Sequence, residues 1–205
     1  MRALLPGLIA GRSADGRQAS LIVPRLYLAS YYIASKPEEL QALGITHVLS
    51  VLDFAPEELP PNFKRLHIKL QDTSSSNILQ YLEVTTEFIK SALEEDENNK
   101  VLVHCLMGIS RSATVVCAYL IATAQMTPDE ALDFVMQKRS IACPNLGFRL
   151  QLETYASRFN KSTVVEGAIA KRTRSQKIKV STNEASVEQS VTSLAVVATE
   201  IDVPV

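Results

Sequence analysis

At 205 residues the chain has room for one domain and a tail, and its 46% hydrophobic content is ample for a core. The 21 Lys and Arg side chains nearly balance 22 Asp and Glu, so nothing global points to nucleic acid as a partner. Three cysteines are too few for a disulfide framework, and no apolar run reaches the roughly 18 residues of a membrane span.

Residues 1–19 mix Gly, Arg, Ser and Ala without period and are expected to form a loose, flexible N-terminus. The apolar run 3–10 is short and broken by Pro6 and Gly7, which argues against a signal peptide; Arg2 excludes N-myristoylation. Segments 21–23 and 26–28 read as extended around Pro24. Ser35 and Glu38 form a capping-box pattern before a short helix that Gly44 stops. Residues 45–52 read as a buried strand, and 65–70 alternate like another. Leu79, Leu82, Thr86, Ile89 and Leu93 repeat at helical spacing, so 78–95 is an amphipathic helix. A turn at 96–99 leads into strand 101–104, and a helix is expected over 113–124. Thr127, Pro128, Asp129 and Glu130 start a helix to about Lys138, and 146–159 forms a last one. Strands alternating with helices imply a three-layer α/β fold, with a mostly parallel central sheet flanked by helices. Ligands in such sheets bind at the carboxyl ends of strands.

After Phe159 no aromatic residue occurs. The tail 161–205 carries a basic cluster at 171–179, then a Ser/Thr-rich stretch whose only charges are acidic. Disorder is expected there. The cluster reads either as a solvated tail or as a nuclear-localisation or anionic-surface patch.

The most informative residues are His104 to Ser112, HCLMGISRS, between the strand 101–104 and the helix that follows. Backbone amides opening a helix, with Arg111 as a bidentate clamp, suit an anion with four oxygens. The same field stabilises a thiolate at Cys105, which makes it a nucleophile. Taken alone, a cysteine in such a domain is more often an inert, buried hydrophobe. His104, Gly108, Ser110 and Ser112 at a strand-to-helix junction favour the reactive reading.

At these residues the chain resembles the cysteine-dependent protein tyrosine phosphatases, whose signature is HC-x5-R followed by Ser or Thr. It is most similar to the small, atypical dual-specificity phosphatases. SRSATVV after the loop, GITHVLSV from Gly44, and Pro144 to Phe148 followed by Gln151 and Leu152 carry the likeness further. It covers about residues 20–160, the expected phosphatase domain.

The resemblance implies attack by Cys105 on phosphorus, with the loop residues Leu106, Met107, Gly108, Ile109 and Ser110 binding the phosphoryl oxygens with Arg111. Gly108 permits positive φ and close backbone approach. The leaving oxygen needs an acid on a neighbouring loop. Asp72 follows strand 65–70 at the same rim and matches the family's acid loop; alone it reads as an N-cap or turn residue. Asp53 is its rival. The loop 73–76 after Asp72 can hold it outward until substrate arrives. Ser112 resembles the hydroxyl that assists the departing thiolate. By resemblance His104 organises the loop and helps keep the thiol ionised, though an isolated His can be a satisfied core residue. Asn145 resembles a buttress of the cradle, though alone it reads as a turn residue.

No His, Cys and carboxylate cluster suggests a metal, and no cofactor is expected. Cys117 sits among apolar residues; Cys143 is expected nearer the surface. The loop interior carries no Lys or Arg, which favours singly phosphorylated protein side chains over a phosphoinositide or an RNA 5′-phosphate. A phosphoprotein-binding module with little turnover is the other rival. A reactive thiolate implies cytosol or nucleus.

Overall fold

The computed structural model describes residues 17–159. Most of the expected N-terminal segment 1–19, and the whole tail 161–205 with its basic cluster, lie outside the described residues.

Strands β1 (Ser20–Val23) and β2 (Leu26–Ser30) form an antiparallel hairpin around Pro24 and Arg25. Two short helices follow, α1 (Tyr31–Ala34) and α2 (Pro37–Leu43). Next come β3 (His47–Leu52), β4 (Lys64–Lys69) and the long helix α3 (Leu79–Glu95). Then come β5 (Val101–Cys105), α4 (Arg111–Ala124), α5 (Pro128–Lys138) and a last helix, α6, over 146–159. The sheet order is β1-β2-β5-β3-β4. Every pair except β1–β2 is parallel, as the alternation of strands and helices implies.

β5 is the central strand and all five of its residues are buried. One face of the sheet packs against α3, α4, α5 and α6 through residues such as Leu82, Ile89, Val116, Leu120, Val135, Phe148 and Tyr155. The other face packs under α1 and α2 through Ile33, Leu40, Val48, Phe63 and Leu102. The edge strand β4 buries only Ile68 of its six residues fully, which accounts for its alternating pattern.

Three local details differ from the sequence expectation. The residue capping α2 is Lys36 rather than Ser35, because Pro37 takes the first helical turn, where its missing N–H costs nothing. Helix α1 is four residues long, with neither a side-chain cap nor a period to announce it. α4 starts at Arg111, so the signature arginine belongs to the helix. At α5 the expected cap forms in full: Thr127 Oγ1 accepts from Glu130 N, and Thr127 N donates to Glu130 Oε2 at 2.8 Å.

Candidate active site

The loop 106–110 joins β5 to α4 at the carboxyl end of the sheet, and all five of its carbonyls are held from outside. Tyr31 N donates to Leu106 O, and Cys143 N donates to Ile109 O. Thr114 N and Thr114 Oγ1 donate to Ser110 O. Arg139 supplies the remaining two: its Nη2 donates to Met107 O and its Nε to Gly108 O at 2.7 Å. With the carbonyls drawn outward, the alternate face of each peptide, the N–H, is left to the concave side.

Gly108 is needed where it stands. Its φ is +67°, and a Cβ there would lie 2.5 Å from Ala29 O and 2.7 Å from Arg139 Nη2. Arg139 is fully buried. It also donates to Gln18 O and Ser20 Oγ, so one guanidinium ties the loop to the start of β1.

Cys105 lies at the floor, 1% exposed. Its Sγ accepts hydrogen bonds from Gly108 N at 3.2 Å and Ser112 Oγ at 3.1 Å. Ser112, expected from the resemblance to assist a departing sulfur, is thus within hydrogen-bond reach of Cys105 Sγ. His104 precedes it, buried, with Nε2 2.6 Å from Ser50 Oγ in a hydrogen bond. Burial pushes the His104 ring down to about 4, partly offset by the neighbouring Cys105 backbone. It is therefore neutral at physiological pH, and any support it gives the thiolate comes through hydrogen bonding rather than charge. Its Nδ1 and Arg111 Nε are buried nitrogens without a hydrogen-bond partner among the described residues.

Arg111 is almost fully buried. Its Nη1 donates to Leu70 O at 3.0 Å and to Asp53 Oδ1 at 3.2 Å. These two acceptors fix the plane of the guanidinium. Nε makes no hydrogen bond among the described residues, and its ion-pair partner is Asp72 Oδ2 at 3.6 Å. A buried donor without a hydrogen bond, beside inward amides, is what an oxyanion would satisfy.

Asp72 is brought to the same loop. Its Oδ1 accepts from Ser110 Oγ at 2.7 Å and from Asn145 Nδ2 at 2.8 Å. The carboxylate thus sits inward at the loop rather than outward on 73–76. Asn145 does three things at once: its N donates to Ser110 Oγ, its Oδ1 accepts from Phe148 N to cap α6, and its amide holds Asp72. Gly147 makes this possible, since a Cβ there would collide with the Ser74 backbone.

Leu106 and Met107 are exposed, and Ile109 is half-buried. Cys105, Gly108, Ser110, Arg111, Ser112, Asp72 and Asn145 therefore converge, with His104 behind them. Asp53 also reaches the site, as a partner of Arg111. Sequence reasoning missed that role, and missed Arg139 altogether; a Lys-Arg pair at a helix end carries no signal of complete burial. Cys117 lies in the core, where burial pushes its thiol up to about 12, and Cys143 is exposed.

Comparison with known proteins identifies the family. The family model "Dual specificity phosphatase, catalytic domain" matches residues 26–158. Over 136 residues the chain is 41% identical to the "Protein phosphatase Slingshot homolog" of Xenopus laevis, covering 66% of this chain and 19% of the relative. The chain thus spans about a fifth of that relative's length. The crystal structure of the human "tyrosine phosphatase-like serine/threonine/tyrosine-interacting protein" superposes with a TM-score of 0.65 at 34% identity, covering 70% of this chain and 98% of that one. A mouse "putative dual specificity phosphatase complexed with zinc tungstate" gives 0.67 at 28% identity, covering 77% and 98%. The family match takes in well over half of the residues and spans the whole loop from His104 to Ser112: the chain belongs to the dual-specificity phosphatases, of the small atypical type within the cysteine-dependent protein tyrosine phosphatase superfamily.

Proposed function

We propose that this chain carries, over about residues 20–160, a phosphoprotein phosphatase domain that hydrolyses phosphotyrosine and phosphoserine or phosphothreonine through a cysteinyl-phosphate intermediate. The observation that carries the reading is the cradle floor: Cys105 Sγ receives two hydrogen bonds while every carbonyl of 106–110 is bound outward. A tetrahedral phosphoryl group satisfies together the inward amides and Arg111 Nε, which lacks a hydrogen bond. The mouse relative's complex with zinc tungstate, a tetrahedral oxyanion, fits the same chemistry.

In the first half-reaction the Cys105 thiolate forms a bond to phosphorus as the ester oxygen departs, and Asp72 gives that oxygen a proton. In the second, water attacks the cysteinyl phosphate and Asp72 takes a proton from it. The S–P bond breaks and Ser112 Oγ stabilises the departing sulfur. Arg111 follows the equatorial oxygens throughout, with Asp53 and Leu70 O fixing its plane. Asn145 and Ser110 aim Asp72. Each step uses side chains of the chain itself, so turnover should persist in a chelator. A reducing compartment, cytosol or nucleus, keeps such a thiolate active.

A second reading takes its support from the 34%-identical human protein described as phosphatase-like and interacting: a phosphoprotein-binding module of low turnover. One experiment separates them. The purified protein is assayed on a small aryl phosphate, then on a panel of phosphopeptides, phosphoinositides and 5′-phosphorylated RNA. The phosphatase reading expects metal-independent turnover of the aryl phosphate and of the phosphopeptides. Tight phosphopeptide binding without turnover would favour the module, and preference for a non-protein ester would overturn the substrate assignment.

A further inference from the structure

Five of the nine large apolar side chains that stand exposed among the described residues sit around the mouth of the cradle: Phe54, Leu106, Met107, Leu146 and Leu150. Each is linked to the site by a neighbour. Phe54 follows Asp53, the partner of Arg111, and sets its ring edge-on to Tyr31 at 5.5 Å. Tyr31 N in turn holds Leu106 O. Leu146 follows Asn145, which holds Asp72, and Leu150 lies one turn further along the same face of α6. The mouth therefore has an apolar wall on either side, Phe54 with Leu106 and Met107 on one and Leu146 with Leu150 on the other. Exposed apolar side chains gathered this way mark a contact surface.

Charge decides what the surface accepts. Asp53 and Asp72 are partly exposed at the mouth, and Glu57 and Glu58 are exposed on the segment after Phe54. Lys69 at the end of β4 and Arg149 on α6 are exposed cations nearby; Arg149 donates to the neutral acceptors Pro144 O and Cys143 Sγ and keeps its charge, so the four carboxylates outnumber these two cations. The buried Arg111 is reserved for the phosphoryl group. An acidic neighbour of the phosphorylated residue would meet carboxylates; so would an anionic membrane surface.

We propose that this rim selects phosphorylated protein segments whose flanking residues are bulky and apolar, and disfavours acidic flanks. The proposal rests on the phosphatase reading and names the substrate class within it. Leu146 and Leu150, both exposed at the start of α6, determine specificity.

The test uses two phosphotyrosine peptides of equal length, one flanked by Leu and Phe, the other by Asp and Glu, with a small aryl phosphate as reference. The parent protein should prefer the apolar peptide by about tenfold in kcat/KM, the scale of an apolar contact outside a closed pocket. In Leu146→Ser/Leu150→Ser the preference should fall to about twofold through KM, with aryl phosphate turnover unchanged. Equal rates on the two parent assays, or preference for the acidic peptide, would overturn the proposal. So would a preference that survives the double substitution. Faster turnover of a phosphoinositide in phosphatidylcholine vesicles than of the apolar peptide would give the surface to lipid instead. Failure to turn over the aryl phosphate would overturn the phosphatase reading itself, a distinct result.

Discussion

At the floor of the cradle His104, Cys105, Arg111 and Ser112 are each 5% exposed or less, whereas Leu106, Met107 and Leu146 at its mouth are 45–69% exposed. The floor is over-determined: a central strand, a buried guanidinium from α5's end and a chain of hydrogen bonds fix each atom. At the mouth the side chains of Leu106, Met107 and Leu146 stand in solvent. Substitutions at the floor should therefore change the chemical step, and substitutions at the mouth should change which substrate reaches it.

The largest effect tests the floor. Cys105→Ser replaces the proposed nucleophilic sulfur with a far less nucleophilic hydroxyl. Turnover should vanish, while phosphopeptide binding, measured by calorimetry, survives on the amides and Arg111. Residual turnover in that variant would remove Cys105 from its role.

Asp72 lies between the two regions, and its leaving-group dependence places it. Asp72→Asn should cost about 10²–10⁴-fold on an alkyl or phosphotyrosyl substrate. It should cost much less on an activated aryl phosphate, whose phenoxide departs without a proton. An equal, small loss on both would move the acid role to another carboxylate.

Arg111→Lys keeps the charge but loses the planar fork that Asp53 and Leu70 O orient. A loss of about 10²–10³-fold in kcat/KM is expected, with an unchanged unfolding midpoint. Near-normal activity would break the cradle assignment.

The last effect concerns stability rather than rate. His104 is held neutral, its folded-state value near 4 against an ordinary 6.5. The unfolded chain therefore binds a proton between those values that the folded chain refuses. Stability is full above about pH 6.5 and is lost as pH falls toward 4, by about 3 kcal/mol. Denaturant unfolding across that range checks it, and His104→Gln should remove that part of the slope.

The sequence carried the floor and much of the fold because those features are local. HC-x5-R sits in eight consecutive residues, the Thr127 capping box in four, and the α3 face in one helical period. What it did not carry is made of distant pairs. Asp53 and Arg111 are 58 positions apart, and Arg139 meets Gln18 O across 121. No spacing rule joins such residues; the strand order β1-β2-β5-β3-β4 does. The same order puts the ends of β4 and β5 at one rim and brings Asp72 to Ser110. Asp72 itself was legible from its place after β4, but its inward setting was not, because that depends on Asn145 arriving from the start of α6.

The central claim, a phosphoryl group carried on Cys105, is tested most directly by trapping it. Ser112→Ala removes the hydroxyl that donates to Cys105 Sγ, the donor the proposed mechanism gives to the departing sulfur. During turnover of an aryl phosphate by this variant, rapid quenching and peptide mass analysis should find one phosphoryl group on the peptide that contains Cys105. A phosphoryl group on any other residue, or steady phosphate release that Cys105→Ser leaves intact, would contradict it.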